Sequence, residues 1–283
     1  MKLNIASHRT NSVHVDLKRI LLILSAICIL YAGLAHADAL TDLRTTLQSL
    51  NVNTQIAGTL DVQSTKVTPK ADKDKGKEGE QQPTADFSLE ISAGDGLGIH
   101  LSQALLQQVN AEQQAHADDP EKPTPITDLL HDADPMQVEH IVSAAPMLLH
   151  ELDGAKLLTI TSAEMDGSPV QVLTVTMPLK ASKKDSSSVK DYQGAMTIWI
   201  NAHGMPLAYQ QTFHAKFCKF LFCVTVDQVR NGKLRAYNGR LAAVSYSDES
   251  KQSGMGQDRD IKTIYTLSPN NGADDKAANQ SHY

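Results

Sequence analysis

The sequence predicts an α+β fold in which about eight to ten antiparallel strands carry one helix at the start and further helices in the middle. Three observations predict it. An apolar stripe at helical spacing opens the region after residue 37, and a longer one fills 134–153. From Ala155 onward apolar and polar residues alternate with period two, interrupted by Asp-Gly and Asn-Gly pairs that read as hairpin turns. Helices and strands segregated in this way along a chain build an α+β domain around an antiparallel sheet.

The first element is expected to be discarded. Lys18 and Arg19 precede ILLILSAICILYAGL, fifteen apolar or small residues from Ile20 to Leu34, and Ala35-His36-Ala37 follows. This order predicts a secretory signal peptide over 1–37, cleaved after Ala37. A membrane-spanning helix needs about 20 apolar residues, more than the run contains. Cys28 falls inside it, and Ile27 before it is too bulky for a lipidation motif. Cleavage takes the chain from 283 to 246 residues and the net charge from −6 to −9. So acidic a chain has no electrostatic basis for binding nucleic acid. No later stretch is long and apolar enough to cross a bilayer, so the expected location is periplasmic, where disulfides form.

One domain is expected over 38–267. DALTDLRTTLQSLN places Leu40, Leu43, Leu47 and Leu50 on one helical stripe, with Asp38 or Thr41 as cap. Residues 52–67 read as a strand. The mixed-charge segment 68–83, TPKADKDKGKEGEQQP, has nothing to bury and is predicted to be a disordered insertion. The strand resumes at ADFSLEIS, and Gly94-Asp95-Gly96 turns it into GLGIHLS; a glycine loop joining two strands is no phosphate cradle. Ser102 caps a helix ending near Asp118-Asp119-Pro120. A proline-rich connector leads to Asp134-Pro135, an N-cap with proline at N1, and to a stripe of Val138, Ile141, Val142, Ala145, Leu148, Leu149 and Leu152. Pro146 must kink or split that helix, and Gly154 ends it. Asp166-Gly167, Ala202-His203-Gly204, Asn231-Gly232 and Asn238-Gly239 are the expected turns of the meander, with DESKQSGMGQDR a glycine-rich loop and 268–283 a disordered tail.

Motifs for chemistry are missing. The histidines include no HExxH and no Cys/His set of zinc spacing, so no metal or other cofactor is expected; His140 and His150 read as decoration of a helix's polar face. There is no GxSxG elbow and no SxxK, so no catalytic residue is assigned and no enzyme is expected.

HAKFCKFLFCVTV, residues 214–226, stands apart. Four of the five phenylalanines, Phe213, Phe217, Phe220 and Phe222, lie in or beside it with Cys218 and Cys223. On one straight strand these cysteines would be about 16 Å apart at about 3.3 Å per residue, whereas a bridge needs Cα atoms within about 7 Å. Either the thiols stay free or Lys219-Phe220-Leu221-Phe222 forms a turn that a disulfide closes, and an oxidising compartment favours the bridge. A closed tip presents Phe217, Phe220, Leu221 and Phe222 to a membrane surface or a partner, or the phenylalanines fold under the helices as core.

The order of DALTDLRTTLQSL, the following hairpin, the helical region 134–153 and IWINAHGMPL resembles the periplasmic lipoprotein-carrier family (LolA-like) over 38–267. The resemblance implies that the sheet curves into a half-barrel with the inserted helices as its lid, around an apolar cavity for acyl chains. This chain departs from the family in the 68–83 insertion, the cysteine pair, the polar tail and the absence from 52–67 of an arginine to anchor the helices; no functional residue is carried over. The expected function is non-enzymatic binding of a lipid or other hydrophobic ligand, with Leu148, Leu149, Leu173, Val175 and Trp199 as lining suggested by periodicity. The alternative is a cell-envelope interaction protein with a filled core, acting through the aromatic tip on an envelope protein.

Overall fold

The computed structural model describes residues 39–68, 80–81, 85–180, 188–219, 222–254 and 257–270. The signal segment, most of the 68–83 insertion and residues 271–283 of the tail lie outside them. Helix α1 (39–49) buries the whole leucine stripe, Leu40, Leu43, Leu47 and Leu50, each worth about 1.5–3 kcal/mol when fully withdrawn from water. Then come β1 (Ile56–Thr68), β2 (Glu80–Gln81), β3 (Ala85–Ala93) and β4 (Leu97–His100). Four helices intervene: α2 (Gln103–Asp118), α3 (Pro125–Asp132), α4 (Pro135–Val142) and α5 (Ala144–Leu152). The meander follows as β5 (Lys156–Met165), β6 (Ser168–Thr176), β7 (Val189–Ile200), β8 (Pro206–Lys219), β9 (Phe222–Tyr237), β10 (Arg240–Gly254) and β11 (Gln257–Pro269).

All the strands form one curved, antiparallel, open sheet in the order β4-β3-β1-β11-β10-β9-β8-β7-β6-β5, with β2 paired to the end of β1. Two meanders, β1–β4 and β5–β11, are therefore joined at the β1–β11 pairing, where Leu60 faces Leu267 and Val62 faces Tyr265. The α+β class and antiparallel sheet agree with the sequence; among the described residues the strands number eleven.

The helix starts follow from their caps. The Ser102 hydroxyl accepts from the Leu105 amide at 3.1 Å and the Asp134 carboxylate from the Met136 amide at 2.9 Å. The expected long helix is split at Ser143, which leaves Pro146 in the first turn of α5, where its missing N–H needs no partner. Helix α3 was not expected: it is short, begins with proline, and takes its N-terminal hydrogen bonds from α2, the Glu112 carboxylate accepting from the Ile126 and Thr127 amides at 3.1 and 2.8 Å.

Arginine does anchor the helices, but from β10. The buried Arg240 donates from Nε to the Val142 carbonyl at 2.9 Å, from Nη1 to the Thr54 carbonyl at 2.8 Å, and from Nη2 to the Ser143 hydroxyl. Arg44 of α1 likewise donates to the Leu152 carbonyl at 2.8 Å, so arginines satisfy both α4 and α5 near their C-terminal ends.

The sheet corrects two turn assignments. Asn238-Gly239, with φ of 49° and 84°, is a tight turn between β9 and β10 as expected. Asn231-Gly232 instead lies inside β9, paired with Gln210 and Tyr209 on one side and Ser247 and Tyr246 on the other. Gly232 is there for space: a Cβ on it would stand 2.2 Å from Cε1 of Tyr209, whose ring lies across the glycine. The expected loop 248–259 is mostly strand. It continues β10 to Gly254, because β9 and β11 extend equally far and their backbone groups find partners there. Lys251 bridges Glu249 at 3.4 Å and its cross-strand neighbour Asp260 at 3.7 Å. Residues 52–55 precede β1 rather than belong to it, and β11 runs two residues past the expected boundary at 267.

Gly232→Ala is expected to destabilise the protein by about 1–3 kcal/mol in urea unfolding, since the new methyl overpacks the ring. In a Tyr209→Leu background the same substitution should cost less, because the clash is with the ring edge.

Candidate functional site

The inner face of the sheet, the side that the helices cover, is built in transverse rows set by register. One row runs Leu173, Ile198, Tyr209, Gly232, Tyr246, Tyr265, Val62, Phe87 across eight strands. All its side chains are buried beneath the helices, with the Tyr246 and Tyr265 rings 5.7 Å apart. The next row runs Val175, Met196, Gln211, Arg230, Asp248, Thr263, Ser64, Ala85, apolar at both ends and polar in between.

The middle of that polar stretch is tied together by hydrogen bonds centred on Asp248. Asp248 accepts from Gln228 Nε2 at 2.6 and 2.7 Å and from Arg230 Nε at 3.2 Å. The Tyr246 hydroxyl lies 3.3 Å from Asp248 Oδ2 and 3.2 Å from Gln137 Oε1 of α4, donating into that pair. The buried Gln211 donates to Met177 Sδ at 3.4 Å. Burial, the largest cause, pushes the Tyr209 and Tyr246 phenols well above their ordinary range, so both stay protonated. His140 of α4 sits half-buried over this seam rather than on the polar face expected for it; desolvation first, and the Arg230 charge second, lower its pKa. His150 is exposed, as expected.

Beyond the network the inner face continues towards the far ends of β8 and β9 with Phe213, then Ala215 and Val226, then Phe217 and Val224. The Arg230 guanidinium stands 5.8 Å from the centre of the Phe213 ring. Tyr192 folds back along β7, its hydroxyl 2.5 Å from where a Cβ on Gly194 would be, and burial raises its pKa with help from Glu151. Phe217 is 39% and Phe222 61% exposed. Cys218 and Cys223 face each other across β8 and β9 with Cα atoms 4.1 Å apart, and a disulfide joins them. Phe220 and Leu221 lie outside the described residues.

The five residues suggested as a ligand lining do not all come together. Leu148, Leu173 and Val175 are fully buried in the packed core, and Leu149 is half-buried against it. Trp199 is on the outer face, between Val172 and Ala208, because Ile198 and Ile200 take the inner positions of β7. Period-two alternation identifies two faces without saying which one the helices cover. The Arg230–Asp248–Gln228 network was not anticipated. The signal available for it was the polar residues Gln211, Gln228, Arg230 and Asp248 at strand spacing beside apolar ones.

An open groove of about 880 Å³ lies elsewhere, between α1, the near ends of β5 and β6, and the β7–β8 turn. Among the described residues, no group of three or more His, Cys, Asp or Glu side chains is placed to hold a metal ion, and no helix is long and apolar enough to cross a membrane.

The chain matches no family model and no curated protein. Among solved structures, one of MucB in complex with MucA(peri) is 10% identical, with 81% of this chain and 93% of that chain covered, at a TM-score of 0.23. At that score the two share too little geometry for anything to follow about this chain, and the likeness to lipoprotein carriers rests on the order of elements alone.

Two measurements test the seam and the bridge. A histidine whose folded pKa lies below its ordinary 6.5 leaves the unfolded state binding more protons between the two values, so stability is lost as the pH is lowered through that window. The stability lost between about pH 7.5 and about pH 5.5 should therefore be smaller in His140→Gln than in the unsubstituted protein. Replacing both Cys218 and Cys223 by serine should lower stability by about 2 kcal/mol, the loop-closure entropy of so short a loop, read from urea unfolding midpoints.

Proposed function

We propose that the protein is exported to the cell envelope and works there, without chemistry of its own, as an interaction protein. It engages a partner protein through the uncovered inner face and the disulfide-closed end of β8 and β9. One observation carries this reading: Leu148, Leu173 and Val175 fill the space between α5 and the sheet, where a carrier would hold acyl chains, while Phe217 and Phe222 stay exposed beside a covalent clip. Exposed aromatic side chains held rigid lose little entropy on docking. Lys216 and Lys219 flank them on a chain of net charge −6, so the complementary partner offers an apolar recess rimmed by acids.

Export is supported by the arrangement of Lys18, Arg19, the apolar run and Ala35-His36-Ala37, and the disulfide suits an oxidising compartment. The absence of catalysis is supported by the seam: donors from Gln228, Arg230 and Tyr246 already occupy Asp248, and Tyr209 and Tyr246 are held protonated.

Native mass spectrometry of the protein purified from the periplasm separates this reading from the carrier reading. The expected result is the apo mass, two daltons heavier after reduction; a co-purifying acyl ligand would overturn it. A photo-crosslinking residue at position 222 should give one discrete protein adduct in cells, absent when the probe replaces Thr174 on the outer face. Phe217→Ser should reduce that adduct about tenfold or more while shifting the unfolding midpoint little, since the side chain is already exposed. Recovery on phosphatidylglycerol vesicles in place of a protein adduct would point to a membrane and against a protein partner.

A further inference from the structure

The sheet has two edges, and they differ. The β4 edge is four residues long, whereas the β5 edge is ten. Natural edges are blunted by shortness, lysine, proline or bulges. On β5 the one lysine, Lys156, is the first residue, and the one bulge, at Leu158, comes two residues later. Among the described residues, nothing but the charge of Glu164 guards the strand from Thr159 to Met165, and Thr161 to Glu164 are exposed.

Register says which backbone groups are free to pair. The two-residue turn Asp166-Gly167, with φ of 51° and 77°, makes Met165 and Ser168 a hydrogen-bonded pair. Antiparallel alternation then aims the N–H and C=O of Ala163 and Thr161 at β6, and those of Glu164, Ser162 and Ile160 away from it. Among the described residues, no strand pairs with that outward side.

The groove of about 880 Å³ opens beside this edge. Ser162 pairs with Gln171 and Gln171 with Ile200, so the row that forms the groove floor ends at the edge of β5, while α1 supplies Leu43 and the exposed Asp42 as its wall. Glu164 lies on the same face as Ser162, one inner position on. A strand added to β5 would place the side chain opposite Ser162 into this groove, facing Asp42.

The geometry points to β5 as a strand-addition site for an extended segment of a partner protein that carries a lysine or arginine at the groove-facing position. Backbone pairing to Ile160, Ser162 and Glu164 supplies the affinity, and the Asp42 carboxylate in the groove wall supplies the selectivity. The site is independent of the aromatic end of β8 and β9, so either surface can fail without the other.

The test uses the full mature chain and a short fluorescent peptide of alternating threonine and valine with one central lysine. Saturable binding is expected in fluorescence anisotropy, together with slowed amide exchange at Ile160, Ser162 and Glu164. Replacing the peptide lysine by glutamate should weaken binding about fivefold, a difference that Asp42→Asn should shrink. Ser162→Pro should weaken it about tenfold or more, because it removes an outward N–H that makes no bond to β6 and which an edge strand can spare. If that variant fails to fold, a peptide N-methylated at alternate amides replaces it against the unsubstituted protein, with the same loss expected. No binding, or equal binding by the N-methylated peptide, overturns the proposal. So does an unsubstituted protein that sediments as a dimer through β5, since the edge is then taken by a second copy.

Discussion

Arg240 is the contact on which the arrangement of layers depends. It follows the tight turn at Asn238-Gly239 and reaches, within one guanidinium, the Val142 carbonyl of α4, the Ser143 hydroxyl between α4 and α5, and the Thr54 carbonyl before β1. These residues are 98, 97 and 186 positions away in sequence, respectively. A buried cation is tolerated only where such acceptors surround it, and two of the acceptors are in turn carbonyls, at a helix end and in a loop, that need donors. The need is reciprocal, so helices, first strand and meander are held in one relative position. The adjacent Leu241 amide, donating to the Leu50 carbonyl at 3.3 Å, brings the end of α1 to the same place.

Around that anchor the molecule divides its inner face in two. On one side the row from Leu173 to Phe87 is shut beneath helices and forms part of the hydrophobic core. On the other, Phe213, Val226 and Phe217 extend past the helices with only partial cover. The Gln228–Arg230–Asp248–Tyr246 network lies between, and its hydrogen bonds let polar side chains sit at a helix–sheet seam without an unsatisfied group. The outer face carries a polar ladder across three strands: Gln210 donates to Asn231 at 2.9 Å and Asn231 to Ser247 at 3.2 Å.

What was legible in the sequence was what depends on near neighbours. The leucine stripe of α1, the caps at Ser102 and Asp134, and the turns at Asp166-Gly167 and Asn238-Gly239 are all decided within a few residues. Gly232 was misread because an Asn-Gly pair in a strand and in a turn look alike until Tyr209, on the neighbouring strand, is known to lie over it. Trp199 was placed on the wrong face, and Leu148, Leu173 and Val175 in a lining rather than a filled core, for the same reason. Alternation gives period, while side and packing density come from which helix lands where. Helix α3 depends on a carboxylate, Glu112, borrowed from α2, and a strand's excess length, as in β10, depends on the length of its neighbours.

The pairing of β1 with β11 has a consequence for the order of events in the life of the chain. The two strands that join the meanders lie near opposite ends of the described sequence, Leu60 against Leu267, so the sheet cannot be completed until almost all of the chain is present. A polypeptide threaded N-terminus first through an export channel would have β1, β3 and the helices on the far side while β11 is still in transit. Through that interval β1 presents one ladder of backbone groups with no occupant, a vulnerability that long-range strand pairing imposes on any vectorially delivered sheet. The last strand to arrive is the one that closes it.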